Sequence, residues 1–312
     1  MPSLLLEYIT TGIGVCQQVF SEYFPVKTLD FSVYFLLYMD FFGIVRYNMF
    51  QDTTGGTFMR YTDLVFDLYG TLVDIHTEED DTVWEKTAIY FGFYGAHYTG
   101  TELKAAFEDA MAERKAKAGQ RYECFPDLPF EPVMAQLFRD RGVEEDADRL
   151  GIQASQLFRI ASMEYIHLYP GALDALAVLR QKGYRLWLLS NAQRVFTAFE
   201  LRHLGLGAQL DGIYISSDFG CRKPDGRFFR ALLDEQNLDP AKCLMIGNDR
   251  DTDIAGARAA GMDTLYMHTD LTPAEQAKAD PALLPGVAPA GCRHYEFEGD
   301  DWTKLVQLIM QL

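Results

Sequence analysis

Four short runs hold residue types that could share one reaction. In VFDLYGTLVD, Asp67 closes an apolar stretch and is followed by Tyr69, Gly70 and Thr71. LLSN ends another apolar stretch with Ser190 and Asn191, RKP contains Lys223, and IGNDRDTD carries Asn248, Asp249, Asp251 and Asp253. A carboxylate, a hydroxyl, an ammonium and a carboxylate cluster are what an attack on a phosphoryl group uses. Asp67 as nucleophile would form an aspartyl-phosphate and so divide one difficult displacement into two easier ones. Mg2+ takes oxygen ligands in octahedral geometry. Asp67, the backbone carbonyl of Tyr69, one or both of Asp249 and Asp253, and waters make such a set, in which the cation also relieves the mutual repulsion of the acids. Lys223 and the Ser190 hydroxyl would hold the phosphoryl oxygens, with Tyr69, Gly70, Thr71 and Asn191 on the substrate side and turn N–H groups adding dipoles. Most of such catalysis is positioning and charge neutralisation.

D-x-x-G-T alone is a weak signal, because an Asp before a glycine turn commonly does no more than end a strand. The order of the four runs along the chain carries the reading. Simpler roles stand beside it: Lys-Pro as a plain helix start, Ser190 and Asn191 as a strand-to-helix cap, Asp251 as a surface residue, His76 as a solvated side chain.

The elements that must bring these runs together are legible from Asp63 onward, where short apolar strands alternate with amphipathic helices, the pattern of a parallel sheet covered on both faces. Strands are expected at Leu64–Asp67, Arg185–Ser190, Gly212–Ser216, Lys242–Gly247 and Thr264–His268, all reading as buried. Helices are expected at Leu173–Lys182, Asp251–Ala260 and Trp302–Leu312, with Pro170, Gly171, Gly183 and Gly261 as punctuation. Residues 75 to 167 contain almost no strand-like run. They read as helices at Asp81–Phe93, Thr101–Ala118, Glu131–Arg141 and Ala147–Ile166. An insertion directly after the first strand sits above the strand ends where open parallel sheets bind ligands, and so is placed as a lid. The expected organisation is a hydrolase core at 59–75 and 168–312, a helical cap at 76–167, and an extension at 1–58.

The four motifs in this order resemble the haloacid dehalogenase superfamily, in the subfamily with a helical cap inserted after the first motif, over residues 61 to about 270. The resemblance implies an α/β fold, a Rossmann-like parallel-sheet core with an inserted α-helical cap domain. It also implies Asp67 as nucleophile, Ser190 and Lys223 on the phosphoryl group, and Asp249 or Asp253 on Mg2+. The implied activity is that of a Mg2+-dependent phosphatase acting on a small phosphorylated metabolite. Two positions depart from the pattern. Tyr69 stands where the family's phosphatases carry a second Asp as general acid and base, a group worth about 10² to 10⁴ in rate, and resembles instead the 2-haloacid dehalogenase branch, which needs no metal. Asn248 stands where many relatives have the first metal-binding Asp, with Asp249 one place later. Two to three carboxylates remain in GNDRDTD, which favours a metal. Dehalogenation is the alternative reaction, and a relative that binds a phosphorylated ligand without turnover is the alternative of another class.

The bulk properties narrow the partners. A net charge of -17 repels nucleic acid and anionic membranes, so neither is expected, although phosphate can be bound through a metal. Cys16, Cys124, Cys221, Cys243 and Cys292 are scattered without a C-x-x-C pair, which reads as reduced thiols in a cytoplasmic protein. Residues 1 to 58 are rich in Phe, Tyr, Leu and Ile without clean periodicity. Their apolar stretches carry Glu7, Glu22, Asp30 and Asp40 and fall short of a charge-free span of about 20 residues, and no secretory signal pattern is present. The segment is expected to be a mis-assigned upstream extension or a loosely attached, disordered appendage, with the folded unit starting at Met59. Oligomeric state is not legible.

Overall fold

A computed structural model of the protein describes residues 59–117, 125–272 and 291–312. The expectation for residues 1 to 58 lies outside them. The unit from Met59 to Leu312 is built on a six-stranded sheet. Its strands are β1 (Asp63–Phe66), β4 (Arg185–Ser190), β5 (Gly212–Ile215), β6 (Cys243–Gly247), β7 (Asp263–His268) and β8 (His294–Glu298). Their order is β5-β4-β1-β6-β7-β8 and all neighbours are parallel.

Alternation along these strands decides which helix covers which face. Leu64, Phe66, Leu186, Leu188, Leu244 and Ile246 join one cluster with Leu176 and Leu179 of α5 (Ala172–Gln181), Leu201 of α6 (Arg194–His203) and Trp302 and Leu305 of α10 (Trp302–Gln311). Val65, Trp187, Leu189 and Met245 face the other way, against Phe228, Phe229 and Leu232 of α8 (Gly226–Glu235) and Ala257 of α9 (Ala255–Ala259). Between β5 and α8 lies the short helix α7 (Ser216–Phe219). The core is therefore the doubly covered, Rossmann-like parallel sheet that the run of strands and helices predicts.

After β1 the chain forms a two-stranded antiparallel ribbon, β2 (Val73–Thr77) with β3 (Met163–Leu168). Between these strands come α1 (Asp81–Phe93), α2 (Gly100–Lys117), α3 (Glu131–Arg139) and α4 (Ala147–Ser162). They bury an aromatic cluster of their own, including Trp84, Phe91, Phe107, Phe138 and Phe158, with the Phe91 and Phe138 rings stacked 3.8 Å apart.

The ribbon corrects the expectation that 75 to 167 holds almost no strand and that the last helix runs to Ile166. The helix stops at Ser162, and MEYIHL continues as β3 because its alternation is met by β2, Ile75 opposite Ile166 and Val73 opposite Leu168. β8, with HYEFE half exposed at the sheet edge, was likewise not among the expected strands, since its alternation is short and polar. Among the described residues no helix is long and apolar enough to cross a membrane.

Candidate active site

Parallel pairing of β4, β1 and β6 in register brings their C-terminal ends side by side, with Phe66 beside Leu188 on one flank and Ile246 on the other. Asp67, the residue after β1, thus stands beside Ser190 and Gly247, the last residues of β4 and β6, and the loop between α7 and α8 supplies Lys223. Of the side chains the sequence singled out, Asp67, Lys223 and Asp253 come into direct contact. Lys223 Nζ donates to Asp67 Oδ1 at 2.6 Å and to the Leu189 carbonyl at 2.7 Å, and lies 2.6 Å from Asp253 Oδ1. Lys223 and Asp253 are each 1% exposed.

Charges so deeply buried must be paired, and two acids, Asp67 and Asp253, converge on one ammonium. Burial pushes the Asp253 carboxyl up to about 7; Lys223 opposes this, and the charges of Asp67 and Asp249 add to it. Burial works against the Lys223 ammonium, but Asp253 and Asp67 more than offset it, so the group is held protonated.

Glycines make the close approach possible. A Cβ on Gly247 would sit 2.3 Å from Asp253 Oδ2, the oxygen that accepts the Asp249 N–H at 3.0 Å. Gly70, at φ +81°, lies against Asn248, whose amide nitrogen would be 2.1 Å from an added Cβ, and Thr71 Oγ1 donates to Asn248 Oδ1 at 3.3 Å. Asn248 is thus the buried residue that packs on the nucleophile loop. Asp249 instead caps the following turn, its Oδ1 accepting the Asp251 and Thr252 N–H groups at 2.8 and 3.0 Å.

Ser190 is fully buried, and its Oγ has no hydrogen-bond partner among the described residues. A hydroxyl in that position is under strong pressure to meet an acceptor. Asn191 serves the site through its neighbour: its Oδ1 accepts the Lys223 N–H at 2.8 Å and its Nδ2 donates to the Lys223 carbonyl at 3.1 Å. The backbone N–H groups of Gly70 and Thr71, expected to face a phosphoryl group, close the turn instead, donating to the carbonyls of Val73 and Leu68. A six-residue connection, Asp67 to Leu72, tight enough to return into β2 uses those donors itself.

Tyr69 turns away from the three-residue cluster. Its hydroxyl donates to Glu200 Oε2 and lies 3.0 Å from Thr197 Oγ1. Arg159, from α4 of the helical insertion, donates to Glu200 Oε1 at 2.7 Å and lies over the Tyr69 ring at 5.5 Å. Burial first, and then the Glu200 charge, hold the Tyr69 hydroxyl far above the ordinary tyrosine range. Glu200, Thr197 and Arg159 were not anticipated. A signal existed: Thr197, Glu200 and Leu201 form the buried i, i+3, i+4 stripe of α6, and a Glu on such a stripe requires a cation.

His76 pairs with Glu164 across the ribbon at 3.5 Å and is half exposed. Asp251 is exposed beside Arg250.

The donor set fits a divalent cation. Asp67 and Asp253 stand at the strand ends with Lys223 as their shared buried counter-charge, Asp249 lies in the same loop as Asp253, and hard carboxylate oxygens are what Mg2+ takes. The residues that would hold it are Asp67, the Tyr69 carbonyl, Asp249 and Asp253.

The family of haloacid dehalogenase-like hydrolases matches residues 64–261. A glyceraldehyde 3-phosphate phosphatase of Methanothermobacter thermautotrophicus is 33% identical over 108 residues, 35% of this chain and 48% of that protein. A phosphoserine phosphatase of Thermus thermophilus is 30% identical over 166 residues, 52% of this chain and 66% of that protein. The chain thus spans about half to two thirds of the length of these two relatives. A HAD-hydrolase of Bacillus subtilis, YfnB, is 26% identical over 216 residues, 69% of this chain and 87% of its own. Among solved structures, magnesium-bound YfnB aligns with a TM-score of 0.44 at 22% identity, over 80% of this chain and 99% of that one. A 2-haloacid dehalogenase from Pseudomonas syringae aligns with a TM-score of 0.46 at 21% identity, over 80% and 98%.

Proposed function

The chain belongs to the haloacid dehalogenase-like hydrolases, and on that premise we propose that it is a Mg2+-dependent phosphatase acting on a small phosphorylated metabolite through an aspartyl-phosphate on Asp67. The observation that carries this reading is the convergence of Asp67 and Asp253 on the buried ammonium of Lys223, 2.6 Å from Asp67 Oδ1 and from Asp253 Oδ1, with Asp249 in the same loop as Asp253. An attack on carbon that releases halide has no use for surplus carboxylates beside the nucleophile, whereas a divalent cation does. Relatives named as phosphatases support the same choice.

In this account a carboxylate oxygen of Asp67 attacks phosphorus, the leaving oxygen departs, and water then cleaves the acyl phosphate to restore Asp67. Bound Mg2+ supplies charge neutralisation at the transferring group and among the acids. Lys223, held protonated, donates to a phosphoryl oxygen, and Ser190 Oγ, without a partner among the described residues, supplies a second donor. Asn191 fixes the Lys223 backbone. Asn248 and Gly70 set the path of the nucleophile loop. Tyr69 does not replace a general acid, because its hydroxyl is committed to Glu200, so substrates whose leaving groups need little protonation are favoured.

Tyr69 itself is the observation behind a second reading, hydrolysis of a 2-halo acid. One experiment separates the two. Purified protein is assayed for phosphate release from an activated aryl phosphate, and for halide release from a 2-chloro acid, with Mg2+ and with EDTA. The phosphatase reading expects phosphate release that EDTA abolishes. Halide release that persists in EDTA, without phosphate release, would replace it.

A further inference from the structure

A second group of ligand-type side chains stands apart from the cluster around Lys223, on β7 and β8. Parallel pairing sets Thr264 beside His294, Tyr266 beside Glu296 and His268 beside Glu298. The strand period of two turns these side chains to one face, while Leu265, Met267, Tyr295 and Phe297 pack into the core on the other. His268 Nε2 lies 3.4 Å from Glu296 Oε2 and 3.8 Å from Glu298 Oε1, and His294 Nε2 lies 3.5 Å from Glu296 Oε1.

Three buried polar atoms here have no hydrogen-bond partner among the described residues: His268 Nε2, His294 Nε2 and the Tyr266 hydroxyl. Buried polar groups rarely go unsatisfied, and of the three it is His268 Nε2 that faces both Glu296 and Glu298. Ligand bonds of about 2.0 to 2.2 Å in a tetrahedral site set donor-to-donor edges of roughly 3.3 to 3.6 Å; His268 Nε2 stands 3.4 Å from Glu296 and 3.8 Å from Glu298. The donor atoms of His268, Glu296 and Glu298 all lie within 4.8 Å of one another. His294 has the anchoring that oriented imidazoles need, Thr264 Oγ1 being 2.9 Å from its Nδ1, which leaves Nε2 directed at Glu296.

We infer that His268, Glu296 and Glu298 bind a divalent cation of the zinc class, with His294 as the positioning residue that orients Glu296. Imidazole combined with carboxylate suits Zn2+ rather than Mg2+, so the site is chemically distinct from the all-oxygen set at Asp67. Its role is a staple. β8 is the edge strand, and a cation shared by His268 and Glu298 ties its end to β7. One residue beyond His268, Thr269 Oγ1 donates to the Gly70 carbonyl at 2.6 Å, so the pinned strand end also buttresses the nucleophile loop.

The test is a Zn2+ titration of the full chain, stripped with a chelator and kept in excess Mg2+, against a chromophoric competitor. Expected is a single Zn2+ per chain that survives Mg2+, with affinity reduced at least about tenfold in His268→Ala and in Glu298→Gln and unchanged in Asp253→Asn. Glu298 is 84% exposed, so Glu298→Gln keeps its fold and guards against a misfolded His268→Ala. Zn2+ should also raise the melting temperature of the wild type but not of Glu298→Gln, because a ligand stabilises the state that binds it. No Zn2+ binding, binding unaffected by Glu298→Gln, or binding lost in Asp253→Asn would each overturn the inference.

Discussion

The ammonium of Lys223 lies 2.6 Å from Oδ1 of Asp67, with 1% of the lysine side chain and 10% of the aspartate side chain exposed. The same nitrogen is equally close to Asp253. Lys223 therefore keeps two buried carboxylates apart electrically, and it does so at the C-terminal ends of β1 and β6, where an open parallel sheet presents its ligand.

Replacing Lys223 with Met would leave both acids buried without their cation. Breaking a buried pair costs about 3 to 5 kcal/mol, so Lys223→Met should unfold at much lower urea than wild type. Mg2+ should restore part of the loss by taking over the neutralisation, and Lys223→Met/Asp253→Asn should be more stable than Lys223→Met alone. Equal urea midpoints for wild type and Lys223→Met would show that the acids do not depend on this ammonium.

Ser190 separates stability from activity. Its buried hydroxyl has no hydrogen-bond partner among the described residues, so Ser190→Ala should change stability by less than about 0.5 kcal/mol in thermal or urea unfolding. Phosphate release should nonetheless fall about 10²-fold if that hydroxyl donates to the transferring group. A large loss of stability would mean that the hydroxyl is engaged in the resting protein.

Arg159 and Glu200, both largely buried at 15% and 2% exposed, join the helical insertion to α6. Arg159→Met and Glu200→Gln should each destabilise by about 3 to 5 kcal/mol, and the double variant by less than their sum. Additive losses in a double-mutant cycle would remove the pair as a link.

Tyr69 carries a pH signature. Burial and Glu200 raise the folded-state value of its hydroxyl above the unfolded one, so the fold favours the protonated form. That stabilisation is complete below about pH 10, the ordinary tyrosine value, and declines as pH rises beyond it. The difference titration of wild type minus Tyr69→Phe at the phenolate absorbance should show no ionisation below about pH 10 in the native protein. An ionisation near neutral pH would make Tyr69 an acid-base group after all.

Much of this arrangement was legible before any coordinates. The five buried strands read correctly to within a residue because their apolar runs and bounding glycines are local signals, and the order of Asp67, Ser190, Lys223 and the acidic loop implied a common site. Partners brought by folding were less visible. Nothing near Tyr69 in sequence points to Glu200, and Arg159 stands in a helix with other charged residues. The use of the Gly70 and Thr71 amides inside their own turn depends on β2, a strand hidden because its pairing partner lies some ninety residues away. Asn248 and Asp249 could be told apart only by seeing which side chain packs on Gly70 and which caps the next turn.

The most direct test of the central claim is whether phosphate passes through Asp67. The full chain, mixed with Mg2+ and an activated aryl phosphate bearing a labelled phosphoryl group, is quenched in acid within a turnover and mapped by mass spectrometry. Label is expected on the peptide containing Asp67, absent in Asp67→Asn and in EDTA. Phosphate released at the wild-type rate with no label on that peptide, or turnover surviving in Asp67→Asn, would contradict it.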